Sequence, residues 1–299
     1  MKKSIILILI VIDLILFGIA SLVYSDNNKK SLTSNINTNN NELAYYKNNY
    51  AKNTTINYVQ DTNVKVLNNK QDLINVLYKM LNNGYDFYDF KCSNTYVSCA
   101  SDILGVLNNR ITLNVVNNLV NSYNSIYTYN TKISYLPNGD IRLYVTKKYS
   151  NEEINIINNR INYVTNMLIN DKMTDKEKIK KVHDYLANNT TYGYGNKADT
   201  AYGALINGVA ICGGYADAFS LFMDKLNIPN YKVVSNTHVW NAVYINNNWE
   251  HIDVTYDDPK NNYETNAISY DYFLVNTKTI KNNDIKEHNF DSTIYEELV

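Results

Sequence analysis

Two alternating runs, His238–Ile245 and Asn248–Tyr256, are separated only by Asn246-Asn247. Alternation of this kind marks half-buried strands. Asn is one of the few residues with a side chain that tolerates the positive φ needed at both central positions of a type I′ turn. A two-residue turn pairs Ile245 with Asn248, Trp240 with Asp253 and His238 with Thr255. His238, Trp240, Ala242 and Tyr244 then share one face with Trp249, His251, Asp253 and Thr255. Asp253 becomes the diagonal neighbour of His238, about 7–8 Å away between backbones and within side-chain reach. A three-residue loop would turn Asp253 to the opposite face. One turn therefore decides whether an imidazole and a carboxylate can meet.

A thiol stands ready upstream. Cys212 lies in Gly208-Val209-Ala210-Ile211-Cys212-Gly213-Gly214-Tyr215, directly ahead of a helical pattern of Ala216, Phe219, Phe222, Met223 and Leu226. At a helix start the unpaired N–H groups and the helix dipole stabilise a thiolate. Gly213 and Gly214 carry no side chain, so a substrate backbone could approach closely there. A lone cysteine is more often a buried, inert thiol, and its partners must decide. Cys212 as nucleophile, His238 as acid and base, and Asp253 as the carboxylate that orients the imidazole form a complete acyl-transfer set. The Cys212 N–H is a candidate oxyanion donor. Trp240 reads as a wall of the site, with plain core packing as its alternative. His251 competes with His238 on the same face, His183 falls mid-helix, and His288 near the C-terminus belongs to no pattern. His238, His251 and Asp253 could be drawn as a metal set, but the expectation is no metal and no cofactor.

The rest of the chain sets the context. Met1-Lys2-Lys3 precedes an apolar run from Ile5 to Val23, broken by Asp13, Gly18 and Ser21. Residues 1–25 read as an export signal cleaved after Val23-x-Ser25 or as a retained membrane anchor. Either way the remainder faces outward. Residues 26–56, rich in Asn, Lys, Ser and Thr, read as a flexible linker. Residues 57–150 read as a small α+β unit. It has helical periodicity at Asn69–Leu81 and Ile103–Val120, a short strand at Tyr85–Phe90, and strand-like runs Ser125–Leu136 and Ile141–Tyr149 around Pro137-Asn138-Gly139-Asp140. Cys92 and Cys99 lie within this unit. In an exported chain they read as a disulfide that would stabilise by about 2.5 kcal/mol, the alternative being two free buried thiols. Ser150/Glu153 and Thr174/Glu177 are capping boxes that open two helices of a second unit, 151–299. With 28 Lys+Arg against 29 Asp+Glu and no basic block, the chain is not a general nucleic-acid binder. Its Asn excess and 28 Tyr reflect AT-rich codons, as in some bacteria.

Gly-Val-x-x-Cys-Gly-Gly-Tyr-Ala at Gly208–Ala216, His238-Val239-Trp240-Asn241 and the run Trp249–Pro259 together resemble bacterial transglutaminase-like proteins. Thr174–Tyr192 is similar to the helix that leads into that domain, and Tyr272–Val275 to its later strand. The similarity covers roughly residues 150–290, with His-Val-Trp where the family more usually has His-Ala-Trp. It implies an α+β, papain-like core in which a helix bearing the nucleophile packs on an antiparallel sheet bearing His and Asp. It also implies a Cys212–His238–Asp253 triad and acyl transfer through a thioester, on a peptide or protein substrate. An amine acceptor would give cross-linking and water would give hydrolysis. Some members have lost activity, so a surface module binding a wall or protein partner is the alternative.

Overall fold

The computed structural model of the chain describes residues 59–124, 131–258, 267–292, 295 and 298. The export segment read at 1–25, the linker at 26–56 and the start of the run at 125 lie outside the described residues. Among the described residues no helix is long and apolar enough to cross a membrane.

The N-terminal elements are β1 (Val66–Leu67), α1 (Lys70–Asn82), β2 (Phe87–Cys92), α2 (Cys99–Asn108), α3 (Arg110–Leu119), β3 (Thr131–Tyr135) and β4 (Ile141–Val145). The sheet runs β1-β2-β4-β3 and is antiparallel except at β1–β2. Asn69 caps α1 by accepting the Asp72 N–H at 3.0 Å. The periodic stretch Ile103–Val120 is two helices, not one. Asn109 adopts an extended conformation and accepts the Thr112 N–H at 2.9 Å, so its side chain starts α3 where a better helix former would have continued α2. Cys92, at the end of β2, is disulfide-bonded to Cys99, at the start of α2.

Two helices follow, α4 (Asn151–Leu168) and α5 (Asp175–Asn189), each opened by a reciprocal capping box, Ser150 with Glu153 and Thr174 with Glu177. The short parallel pair β5 (Thr191–Tyr192) and β6 (Val209–Ala210) leads into α6 (Cys212–Lys225). Then come β7 (Asn230–Val234), β8 (Val239–Ile245), β9 (Asn248–Ile252), α7 (Val254–Asp257), β10 (Phe273–Val275) and α8 (Thr277–Asn283). Their sheet is antiparallel throughout, in the order β10-β9-β8-β7. The architecture is α+β, with a helix laid on an antiparallel sheet.

The β8–β9 turn has the conformation that Asn-Asn permits. Asn246 and Asn247 have φ of 52° and 62°, and Ile245 lies opposite Asn248 and Ala242 opposite His251. One detail differs from the alternating pattern. β9 stops at Ile252 because Asp253 turns to cap α7, its Oδ1 accepting from the Thr255 N–H at 2.9 Å and the Tyr256 N–H at 3.3 Å.

Both faces of this sheet are covered. On one, Phe219, Phe222 and Met223 of α6 pack with Val243, Ile245 and Ile252, backed by Ile157 of α4 and Leu186 of α5. On the other, Tyr231, Val233, Trp240, Ala242 and Trp249 share an apolar cluster with Leu73, Leu77 and Val116 of the N-terminal helices and with Phe290 and Tyr295. That cluster crosses the 150/151 division, and the described residues on either side of it lie in one compact unit. At the sheet edge the Asn118 amide completes a rung of β7, donating to the Lys232 carbonyl at 3.2 Å and accepting the Lys232 N–H at 3.0 Å. Inside, Asn241 of β8 donates to the Ala216 carbonyl and to Ser220 Oγ, at 3.1 and 3.0 Å, tying the sheet to the second turn of α6.

The turn supplies a test. A β-branched residue at φ 62° is strained, so Asn247→Val is expected to destabilise the chain by about 1–2 kcal/mol. Asn247→Gly should be neutral or stabilising. Urea denaturation of the two variants reads the difference directly.

Candidate active site

Cys212 is the first residue of α6, half-buried and outside any disulfide. The Ile211 side chain makes no cap hydrogen bond, and the Gly214 N–H closes on the Ile211 carbonyl at 2.9 Å. The two glycines after it owe their identity to packing. A Cβ on Gly214 would lie 2.5 Å from the Ala198 carbonyl oxygen and 2.8 Å from that of Thr200. A Cβ on Gly213 would lie 3.2 Å from the Asp199 carbonyl oxygen. The absent side chains thus admit the 198–200 backbone, not a substrate, against the first turn of α6. That backbone is pinned by the Ile211 N–H, which donates to the Ala198 carbonyl at 2.9 Å.

His238 stands just before β8, and its Nε2–H donates to Asp253 Oδ2 at 2.6 Å. The pair is 7 % and 1 % exposed. Cys212 lies close enough to the same imidazole to act on it. With Nε2 engaged, Nδ1 is the nitrogen left for sulfur. The structure therefore brings Cys212, His238 and Asp253 together. Burial works against a charged ring at His238. The Asp253 carboxylate outweighs it and, with Cys212, pushes the imidazole up to about 10. Burial likewise opposes a charge on Asp253, yet His238 and His288 hold its carboxyl well below the usual carboxylate range.

The other expected residues fall elsewhere. Trp240 is 1 % exposed, so it lines no open surface. It stacks on His238 with ring centroids 5.8 Å apart and donates its indole N–H to His251 Nδ1 at 3.1 Å. It braces the imidazole from behind. His251 cannot replace His238, because its Nε2 faces Thr277 Oγ1 at 3.0 Å and Thr277 in turn donates to the Leu298 carbonyl. Burial, then the neighbouring His288 and Lys281, push His251 down to about 3, so it stays neutral. His183 bridges Asp184 and Asp257, both at 3.1 Å, in the packing between α5 and α7. The exposed Tyr192 lies within electrostatic reach of Cys212 and of Tyr194.

Two contributors had no role assigned from the sequence, although Tyr215 lies in the Gly208–Ala216 run. Tyr215 hydrogen-bonds Asp258, tying the first turn of α6 to the segment that starts at Asp253. His288 places Nε2 2.9 Å from Asp253 Oδ2, the oxygen that His238 also uses. Among the described residues, only His238, Asp253 and His288 cluster as tightly as a metal ion would need, within 4.8 Å. Their closest separations, 2.6 and 2.9 Å, are those of hydrogen bonds. Ligand atoms around a tetrahedral zinc sit roughly 3.3 Å apart.

The His238–Asp253 pair has a signed effect on stability. His238 is raised in the fold, so its contribution is complete below about pH 6.5 and is lost as pH climbs toward about 10. Asp253 is depressed, so its share is present above about pH 4 and is lost on acidification. Unfolding midpoints measured from pH 6 to 10 should fall in the parent chain, and the fall should be distinctly shallower in His238→Gln.

Residues 162–254 match the family model described as the transglutaminase-like superfamily, a stretch that includes Cys212, His238 and Asp253. No curated protein matches the sequence. Two solved structures are similar in part. One, described as a TGase, is 18 % identical with a TM-score of 0.30, over 43 % of this chain and 44 % of that one. The other, named "Putative Cysteine Protease from Cytophaga hutchinsonii", is 14 % identical with a TM-score of 0.29, over 44 % of this chain and 63 % of that one. This chain thus spans less than two thirds of either structure. Over residues 162–254 the chain is thus similar to the transglutaminase-like superfamily.

Proposed function

We propose that this protein is an exported thiol enzyme that transfers the acyl group of a peptide or protein amide through a thioester on Cys212. The observation that carries the reading is the line of three side chains: thiol at a helix N-terminus, imidazole, and a buried carboxylate 2.6 Å from it. In this mechanism Cys212 Sγ, as thiolate, attacks the amide carbonyl carbon. The Cys212 N–H meets the oxyanion. His238 gives its Nδ1 proton to the departing nitrogen as the C–N bond breaks, leaving a thioester. A water or amine then passes a proton to His238 and attacks the thioester, which returns the thiolate. Asp253 stays ionised throughout, holding the tautomer and the charge of His238. The exposed Tyr192 and Tyr194 offer the substrate an aromatic surface beside the thiol.

Export is supported by the apolar run at Ile5–Val23 and by the Cys92–Cys99 bridge, since disulfides persist in oxidising compartments. The test is incubation with a peptide library, with and without a primary amine, read by mass. Amine incorporation with ammonia loss would identify cross-linking, and chain cleavage a peptidase. Cys212→Ala should abolish either product, by at least about a thousandfold, while leaving the unfolding midpoint unchanged. Neither product from the parent chain, or an unaltered rate in the variant, would overturn the enzyme reading in favour of a binding module.

A further inference from the structure

His288 is the buried titratable group that the mechanism above leaves unused. Its ring is fully buried between Tyr272, stacked at 5.1 Å, and the edges of Trp240, Tyr256 and His238 at 4.8, 5.0 and 5.3 Å. Nε2 faces Asp253 Oδ2 at 2.9 Å, and Nδ1 faces the Asp284 carbonyl oxygen at 3.2 Å. Nε2 can therefore donate to the carboxylate oxygen that His238 also uses. Its segment closes on itself and is fastened from outside at two points. Asp284 Oδ1 accepts the Lys286 and Glu287 N–H groups at 2.9 and 3.3 Å. Tyr256 donates to Asp284 Oδ2 at 3.1 Å, and Thr237, next to His238, donates to Glu287 at 2.8 Å. His288 lies outside the matched residues 162–254.

A hydrogen bond to a carboxylate oxygen stabilises its charge and leaves that oxygen a weaker acceptor for a second donor. We propose that His288 is a positioning residue of this site: it holds the same oxygen of Asp253 as His238 does, which limits how tightly Asp253 binds the proton of His238. The purpose of this arrangement rests on the thiol-enzyme reading, but its geometry does not.

The groups facing the two rings are Cys212 from α6, Asp253 and Tyr256 at α7, Tyr272 ahead of β10, and His251 from β9. Asp284 and Glu287 face them from the segment of His288, and Lys281 of α8 acts through His251. The experiment follows the His238 ring by ¹⁵N NMR titration in the full chain carrying Cys212→Ala, so that no thiol chemistry enters. His288→Phe keeps an aromatic ring in the packing but removes the donor, so Asp253 Oδ2 is left to His238 alone and holds its proton more tightly. The His238 midpoint is therefore expected to rise by about half to one pH unit, a three- to tenfold gain in proton affinity. His288→Gln, which can still donate, should raise it less, and if His288→Phe fails to fold, His288→Leu takes its place. A ring that only fills space would alter the unfolding midpoint and leave the titration unmoved. An unchanged His238 midpoint in the folded donor-free variant overturns the proposal. Absence of turnover in the parent chain would sink the enzyme reading without touching this result, so the two fail separately.

Discussion

The reacting end of this molecule depends on how one buried carboxylate distributes its lone pairs. Asp253 gives Oδ1 to two backbone N–H groups and Oδ2 to two imidazoles. The first pair starts a four-residue helix and fixes the χ angles of the carboxylate. The second pair exploits that fixed oxygen. A carboxylate that only met His238 would be free to swing. This one is held from its own backbone side, so the imidazole is oriented by a group that is itself oriented.

That carboxylate is delivered by the β8–β9 turn and kept in place by the packing on both faces of the sheet. Asn241 and Tyr215 tie the helix that carries Cys212 to the elements that carry His238 and Asp253. These bonds join elements far apart in sequence, and each is made by a side chain with no part in the chemistry. The face of the sheet away from α6 has the N-terminal helices as its apolar neighbours. The small unit thus contributes core to the sheet that bears His238.

Much of this was legible in the sequence, for physical reasons. Asn246-Asn247 is legible because few residues tolerate two successive positive φ values, and the capping boxes because Ser/Thr and Glu three residues apart satisfy each other. The register follows from the turn. The alternating pattern misjudged where β9 ends, because Asp253 suits a strand position facing His238 as well as it suits a helix cap. The backbone N–H groups of Thr255 and Tyr256 decide in favour of the cap. Gly213 and Gly214 looked like open approaches, since a glycine that admits substrate and one that admits its own chain read identically. Trp240 was read as a wall and is buried, because alternation gives its face but not what covers that face. His288 was invisible: it follows an irregular segment with no period, and only the folded chain brings it to Asp253.

The side chain of Asn118 has a consequence at a different scale. The outer strand of an antiparallel sheet normally offers its N–H and C=O groups to any passing strand, and a second molecule can pair there. On β7, the Lys232 rung is filled by an amide from within the same chain, and Tyr295 donates to the Lys232 carbonyl and accepts the Val234 N–H. A chain cut at the 150/151 division would keep the sheet and lose this amide. It would also bare the face formed by Tyr231, Ala242 and Trp249. The excised domain would then expose part of its edge and one face, and would be prone to assemble with copies of itself.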